Sequence, residues 1–119
     1  MAKILKYQDL LVWQKADEFA FLVYKIVAKF PKEELYALTS QLKRAALSVP
    51  TNIVEGFGRH SRKEFIQFLY ISLGSLYESD YQIYFAHKNN YIPNSDFSLL
   101  TGKIEEIGKL LNGLIRSLK

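Results

Sequence analysis

A chain of 119 residues, 49% apolar and 24% charged, is long enough for one folded domain and too apolar to remain disordered. The absence of cysteine excludes disulfides and thiolate metal sites and points to a reducing cytoplasm. The net charge is +4, and residues 41–63 carry the whole excess, with Lys43, Arg44, Arg59, Arg62 and Lys63 set against one acid, Glu55.

Helical periodicity occurs four times and strand-type alternation not at all. The first helix is expected over residues 10–29, with Asp9 as N-cap. Trp13, Ala16, Ala20, Val23, Val27 and Phe30 follow steps of three and four, and Phe19, Leu22 and Ile26 form a second apolar row beside them. Lys25 and Lys29 interrupt the most apolar stretch, residues 19–30, so no membrane span is expected. The N-terminus lacks a long apolar run, so no signal peptide is expected either. Pro31 ends this helix, because the residue before proline avoids helical torsions.

The second helix is expected over residues 34–57, on the core row Leu38, Leu42, Ala45, Val49, Ile53 and Gly56. Pro50 lies inside it with the period in phase on both sides, which predicts one helix kinked near Ala46. Gly56 and Gly58 mark its end. The third begins at a capping box, Ser61 and Glu64, and runs to about His87. Phe65, Phe68, Leu69, Ser72, Leu73 and Leu76 crowd more than one of its faces, and Gly74 and Ser75 leave room for another helix. A turn at residues 89–94 leads to the last helix, capped by Asn94 or Ser95. There Phe97, Leu100, Ile104, Ile107, Leu111, Leu114 and Leu118 alternate steps of three and four, the pattern of left-handed helix packing. Short links between amphipathic helices give an all-α, antiparallel, up-and-down four-helix bundle, one domain over residues 1–119. Apolar rows in excess of one stripe on the first and third helices imply a second contact surface and self-association.

A polar row runs opposite the core row of the second helix: Gln41, Arg44, Ser48, Asn52, Glu55 and Arg59, spaced by three and four. Glu55 precedes Arg59 by four residues, the favourable order for an ion pair. Such a stripe can lock the helix to a neighbour, line a groove or simply face water.

Residues for catalysis are scarce. The two histidines, His60 and His87, are far apart, and His60 sits among arginines, where phosphate contact suits it better than metal. His87 suits a helix C-terminal cap or dipole partner. Gly56-Phe57-Gly58 lacks the lysine and the helix context of a P-loop, and no Glu-x-x-His di-metal motif exists. No cofactor and no metal site are expected, and no enzymatic activity.

Particular residue runs also resemble a known family. Tyr7, Leu10 and Val12-Trp13-Gln14-Lys15-Ala16 open the likeness, and Phe30-Pro31-Lys32-Glu33-Glu34-Leu35-Tyr36 continues it. It extends through Leu38–Ala46, Ser48–Gly56, Gly58-Arg59, Phe68-Leu69 and Gly74–Glu78. These runs resemble the four-helix bundle proteins of 23S rRNA intervening sequences, with Val54 in place of the usual alanine and Ala37 in place of glycine. That family is similar to the accessory variability protein of diversity-generating retroelements. The resemblance implies a homopentamer with affinity for nucleic acid and for a protein partner such as a reverse transcriptase. On that basis Lys43, Arg44, Arg59, Arg62 and Lys63, with His60 assisting, are the expected phosphate contacts, by charge and shape rather than base readout. The alternative is a structural protein–protein adaptor whose basic window is merely soluble surface.

Overall fold

In the computed structural model, which describes residues 4–119, the chain forms four α-helices: α1 Leu11–Val27, α2 Leu38–Phe57, α3 Arg62–Lys88 and α4 Asn94–Leu118. No strand occurs among the described residues. Several helix ends differ from the sequence expectation. Asp9 does not cap α1; it closes a 3-10 turn, Tyr7–Asp9, and Leu10 occupies the cap position without a side-chain bond. That turn folds back on α1, with Tyr7 edge-on to Trp13 at 5.0 Å and Gln14 Nε2 donating to the Gln8 carbonyl at 2.8 Å. α1 stops at Val27, where Lys29 and Phe30 tighten to three-residue bonds before Pro31. α2 starts later than expected. A 3-10 turn, Lys32–Glu34, intervenes, and Ala37, with φ −123° and ψ −104°, separates it from the helix.

α2 is continuous from Leu38 to Phe57 with Pro50 buried inside it. Its end falls at Gly58 as expected, without the left-handed conformation usual for glycine there. No described glycine adopts positive φ, and Gly58 sits at the C-cap in ordinary helical torsions. Gly56 is a packing residue. A Cβ there would lie 2.7 Å from Phe68 Cβ and 2.9 Å from Phe65 Cδ1. Ser61 caps α3 as expected, its Oγ accepting the Glu64 N–H at 3.1 Å. Neither Asn94 nor Ser95 caps α4; Pro93 takes that place, and Asn94 bonds to His87 instead.

Each helix packs on its sequence neighbours, and α4 closes the ring against α1, while no Cα atoms of the diagonal pairs α1/α3 and α2/α4 come within 8 Å. At one end, Phe30 from the close of α1 meets Tyr91 from the start of α4 at 5.6 Å. There too the Tyr91 hydroxyl donates to Glu34 Oε2 at 3.0 Å, just before α2. At the other end Phe57 closes α2 against Phe65 at the start of α3. Successive helices therefore alternate in direction, giving an up-and-down bundle of 46 × 25 × 20 Å.

The core takes both expected rows of α1: Ala16, Val23 and Val27 from one, Phe19 and Ile26 from the other. The second row is therefore interior and is not the spare surface anticipated for it. In α4 the buried positions are Leu100, Ile104, Ile107, Leu111 and Ile115, with Leu114 and Leu118 only half-buried. A straight helix turns at 3.6 residues rather than 3.5, so the buried stripe drifts from Leu114 to Ile115. The inner row of α3 alternates large and small residues: Leu69, Ser72, Leu76, Ser79, Ile83 and Ala86. The small members let α2 approach, and Ser72 Oγ donates to the Val49 carbonyl across that seam at 2.8 Å. Nothing lies near a Cβ built on Gly74, so this glycine serves no helix contact within the chain.

Two glycines two residues apart should therefore respond differently. Gly56→Ala must push α3 away and should lower stability by about 1–3 kcal/mol. Gly58→Ala meets only ordinary contacts at 3.7 Å and should change stability by less than about 1 kcal/mol. Urea denaturation of the two variants compares them directly, and equal losses would refute the close approach.

Candidate nucleic-acid interface

The five window cations and His60 do not form one patch. Arg59, His60, Arg62 and Lys63 gather at the α2–α3 corner, while Lys43 and Arg44 lie roughly 20 Å away along α2 at the standard rise per residue. At the corner, Arg59 Nη2 pairs with Glu55 Oε2 at 3.4 Å, and its guanidinium lies 4.7 Å from the centre of the Phe68 ring. His60, Arg62 and Lys63 are exposed, and none is within ion-pair distance of a carboxylate among the described residues. Arg62 and Lys63 share the first turn of α3 with Glu64, where the N–H groups that Ser61 does not cap still make the helix end positive. Each cation placed there costs about 0.3–1 kcal/mol, and a bound phosphate would remove that cost.

Lys43 lies over Tyr24 of α1, its Nζ 4.9 Å from the ring centre, and Arg44 Nη2 donates to Ser40 Oγ at 2.9 Å. A cleft of about 380 Å³ opens between Tyr24, Tyr36, Lys43 and Arg44. A second, of about 180 Å³, continues past Lys32. Lys32, Tyr24, Tyr36 and Thr39 join this region although none falls in the basic window or the polar row. Their signal in the sequence is faint, because the 3-10 turn that swings Lys32 toward Lys43 has no periodic pattern.

The polar row forms short pairs within α2. Arg44 bonds Ser40, Asn52 Nδ2 donates to the Ser48 carbonyl at 2.8 Å, and Glu55 pairs with Arg59. Gln41 lines a groove with Tyr81, Gln82 and Phe85 of α3. The polar bond that crosses from α3 to α2 is Ser72 to Val49, outside the row.

At the opposite end His87 stacks on Phe97, with ring centres 4.0 Å apart, and its Nε2 hydrogen-bonds Asn94 Oδ1 at 2.8 Å. His87 thus ties α3 to α4, a cross-link the sequence does not announce. Nearby, the Glu34 carboxylate accepts the Tyr91 hydroxyl; this bond, helped by partial burial and the charges of Glu34 and Glu33, holds the phenol above its ordinary pKa.

Exposed apolar surface lies on two sides of the bundle. On α3 it comprises Tyr70, Ile71, Tyr77, Tyr81, Tyr84 and Phe85, and on the α1–α2 side Phe21, Tyr24, Leu47 and Tyr36. Tyr70, Gly74, Tyr77, Tyr81 and Tyr84 step by four and three, so this outer stripe has the helix-packing period, with Gly74 open at its centre. No helix among the described residues is long and apolar enough to cross a membrane.

No curated protein sequence matches the chain. A crystal structure from Bacteroides thetaiotaomicron, a protein of unknown function from the S23 ribosomal protein family, is similar in fold. It superposes with a TM-score of 0.83 at 27% identity, over 89% of this chain and 96% of that one. The profile of the 23S rRNA-intervening sequence proteins matches residues 8–113, a span that includes all of α1 to α3, both cation groups and most of α4, and on that match the chain belongs to the 23S rRNA-intervening sequence protein family.

Proposed function

We propose that the protein is a non-catalytic, cytoplasmic homo-oligomer that binds nucleic acid through its basic surface. The observation that carries this reading is the pair Arg62 and Lys63, held without carboxylate partners at a helix end that already repels them. Phosphates relieve that repulsion, and the exposed arginines Arg59 and Arg44 extend the field along α2. Contacts of this type position a strand without reading its bases.

The periodic aromatic stripe on α3 supports self-association, because its spacing fits another helix and Gly74 permits close approach. Two different apolar faces, one on α3 and one on the α1–α2 side, suit a head-to-tail ring rather than a two-fold dimer. The resemblance to accessory variability proteins makes five the subunit number to test and a reverse transcriptase the protein partner to test. The same aromatic stripe equally suits a protein-docking adaptor, the alternative in which the cations serve only solubility.

Binding of structured RNA should weaken steeply with salt, and Arg59→Ala and Arg62→Ala should each reduce the slope of log K against log salt by about one unit. A flat salt response, or full affinity in the double variant, would leave the adaptor reading in its place. Analytical ultracentrifugation should give a multiple of the single-chain mass. Tyr77→Glu combined with Tyr81→Glu, both on the outer face, should yield a folded monomer. A wild-type monomer at micromolar concentration would end the ring.

A further inference from the structure

We propose that the N-terminal end of α2 holds the terminal phosphate of a nucleic-acid strand, with the adjoining base stacked on Tyr36. This rests on the nucleic-acid reading above and specifies the part of the strand recognised.

Four observations converge there. The first is charge: Lys32, Lys43 and Arg44 line the two adjoining clefts, and no carboxylate lines either one. None of the three forms an ion pair among the described residues. The second is the backbone. Leu38, Thr39 and Ser40 make no N–H bond to a preceding carbonyl, and Ala37 at the N-cap offers no side-chain acceptor. A 20-residue helix thus ends in uncapped donors beside three cations.

The third is Thr39. It is only 5% exposed, lines both clefts, and its hydroxyl has no hydrogen-bond partner. A buried hydroxyl without a partner is a standing penalty that a ligand oxygen would remove. The fourth is aromatic. Tyr36 is 94% exposed on the rim of the larger cleft, a flat ring with almost nothing against it. Bases stack on such rings irrespective of sequence.

A phosphate next to a base describes a nucleotide unit, and the density of cations favours the end of a strand. The smaller cleft, about 180 Å³ and open to the larger one, has room for a phosphoryl group. A terminal monoester also carries more negative charge than an internal diester and has three free oxygens for the uncapped N–H groups, Thr39 and the cations.

Calorimetric titration of the full chain tests this. The ligands are a short single-stranded oligonucleotide with a 5′-phosphate, the same with a 3′-phosphate, the same with hydroxyls at both ends, adenosine monophosphate and inorganic phosphate. At least one phosphorylated strand should bind about tenfold tighter than the hydroxyl form. Thr39→Val and Lys43→Gln should each reduce that preference to less than about threefold. Valine replaces threonine without a change of shape, so Thr39→Val should melt no lower than the parent and separates loss of the site from loss of fold. Tyr36→Ala should weaken the phosphorylated strand several-fold with unchanged melting. Equal affinity for phosphorylated and hydroxyl ends overturns the proposal, as does inorganic phosphate binding as tightly as the phosphorylated strand. If equal affinity is accompanied by sensitivity to Arg62→Ala, the corner reading stands and this one falls. End preference that persists while Arg62→Ala leaves overall affinity and salt slope unchanged means the reverse.

Discussion

α2 and α3 lie so close that a single methyl group at Gly56 cannot be accommodated between them. They form the most extensive helix pair in the bundle. Gly56 itself admits Phe65 and Phe68, and farther along the seam Ser72 bonds directly to the α2 backbone. On α3, Leu69, Leu76 and Ile83 sit inside between the small members of the inner row, and Tyr70, Tyr77, Tyr81 and Tyr84 stand on the outer face. The tight seam also fixes the corner at which Arg59 lies over Phe68 and Arg62 and Lys63 enter α3. One steric constraint thus sets the place of the main cation cluster.

The sequence made different parts of this arrangement legible to different degrees. α4 was plain, since leucine and isoleucine recur on one face and little else competes; only the drift from Leu114 to Ile115 departs from the strict seam. α3 was legible as a helix but not as a face. Its interior contains Ser72 and Ser79 beside Leu69, Leu76 and Ile83 and its exterior carries tyrosines, so a hydrophobicity count cannot tell inside from outside. The second apolar row of α1 suggested spare surface because Phe19, Leu22 and Ile26 exceed one stripe, yet a ring of four helices offers α1 two neighbours and buries both rows. Caps were the least readable. Asp9 and Asn94 have the right chemistry in nearly the right place, but a 3-10 turn claims one and His87 the other.

The cations show a related limit. Counting charge along the chain finds Lys43, Arg44, Arg59, Arg62 and Lys63 as one window, whereas the helix separates them into two groups and brings Lys32 from outside the window to the first. Linear density reports that a basic surface exists; the rise of the helix decides which charges a single phosphate can meet. The polar row is a similar case. Spacing placed its six members on one flank of α2, and the structure keeps them there, but their hydrogen bonds run along the helix.

The ring of neighbours has a kinetic corollary. Three of the four helix pairs join segments consecutive in the chain, through connections of only a few residues between α2 and α3 and between α3 and α4. Such local topology places the chain among fast folders, because little loop entropy is lost before contacts form. The exception is α1 against α4, which brings together the most distant segments of the domain. A nucleus formed by the α2–α3 hairpin would leave that closure until late, so substitutions at the α1–α4 seam should act chiefly on the unfolding rate and those at Gly56 and Ser72 on the folding rate.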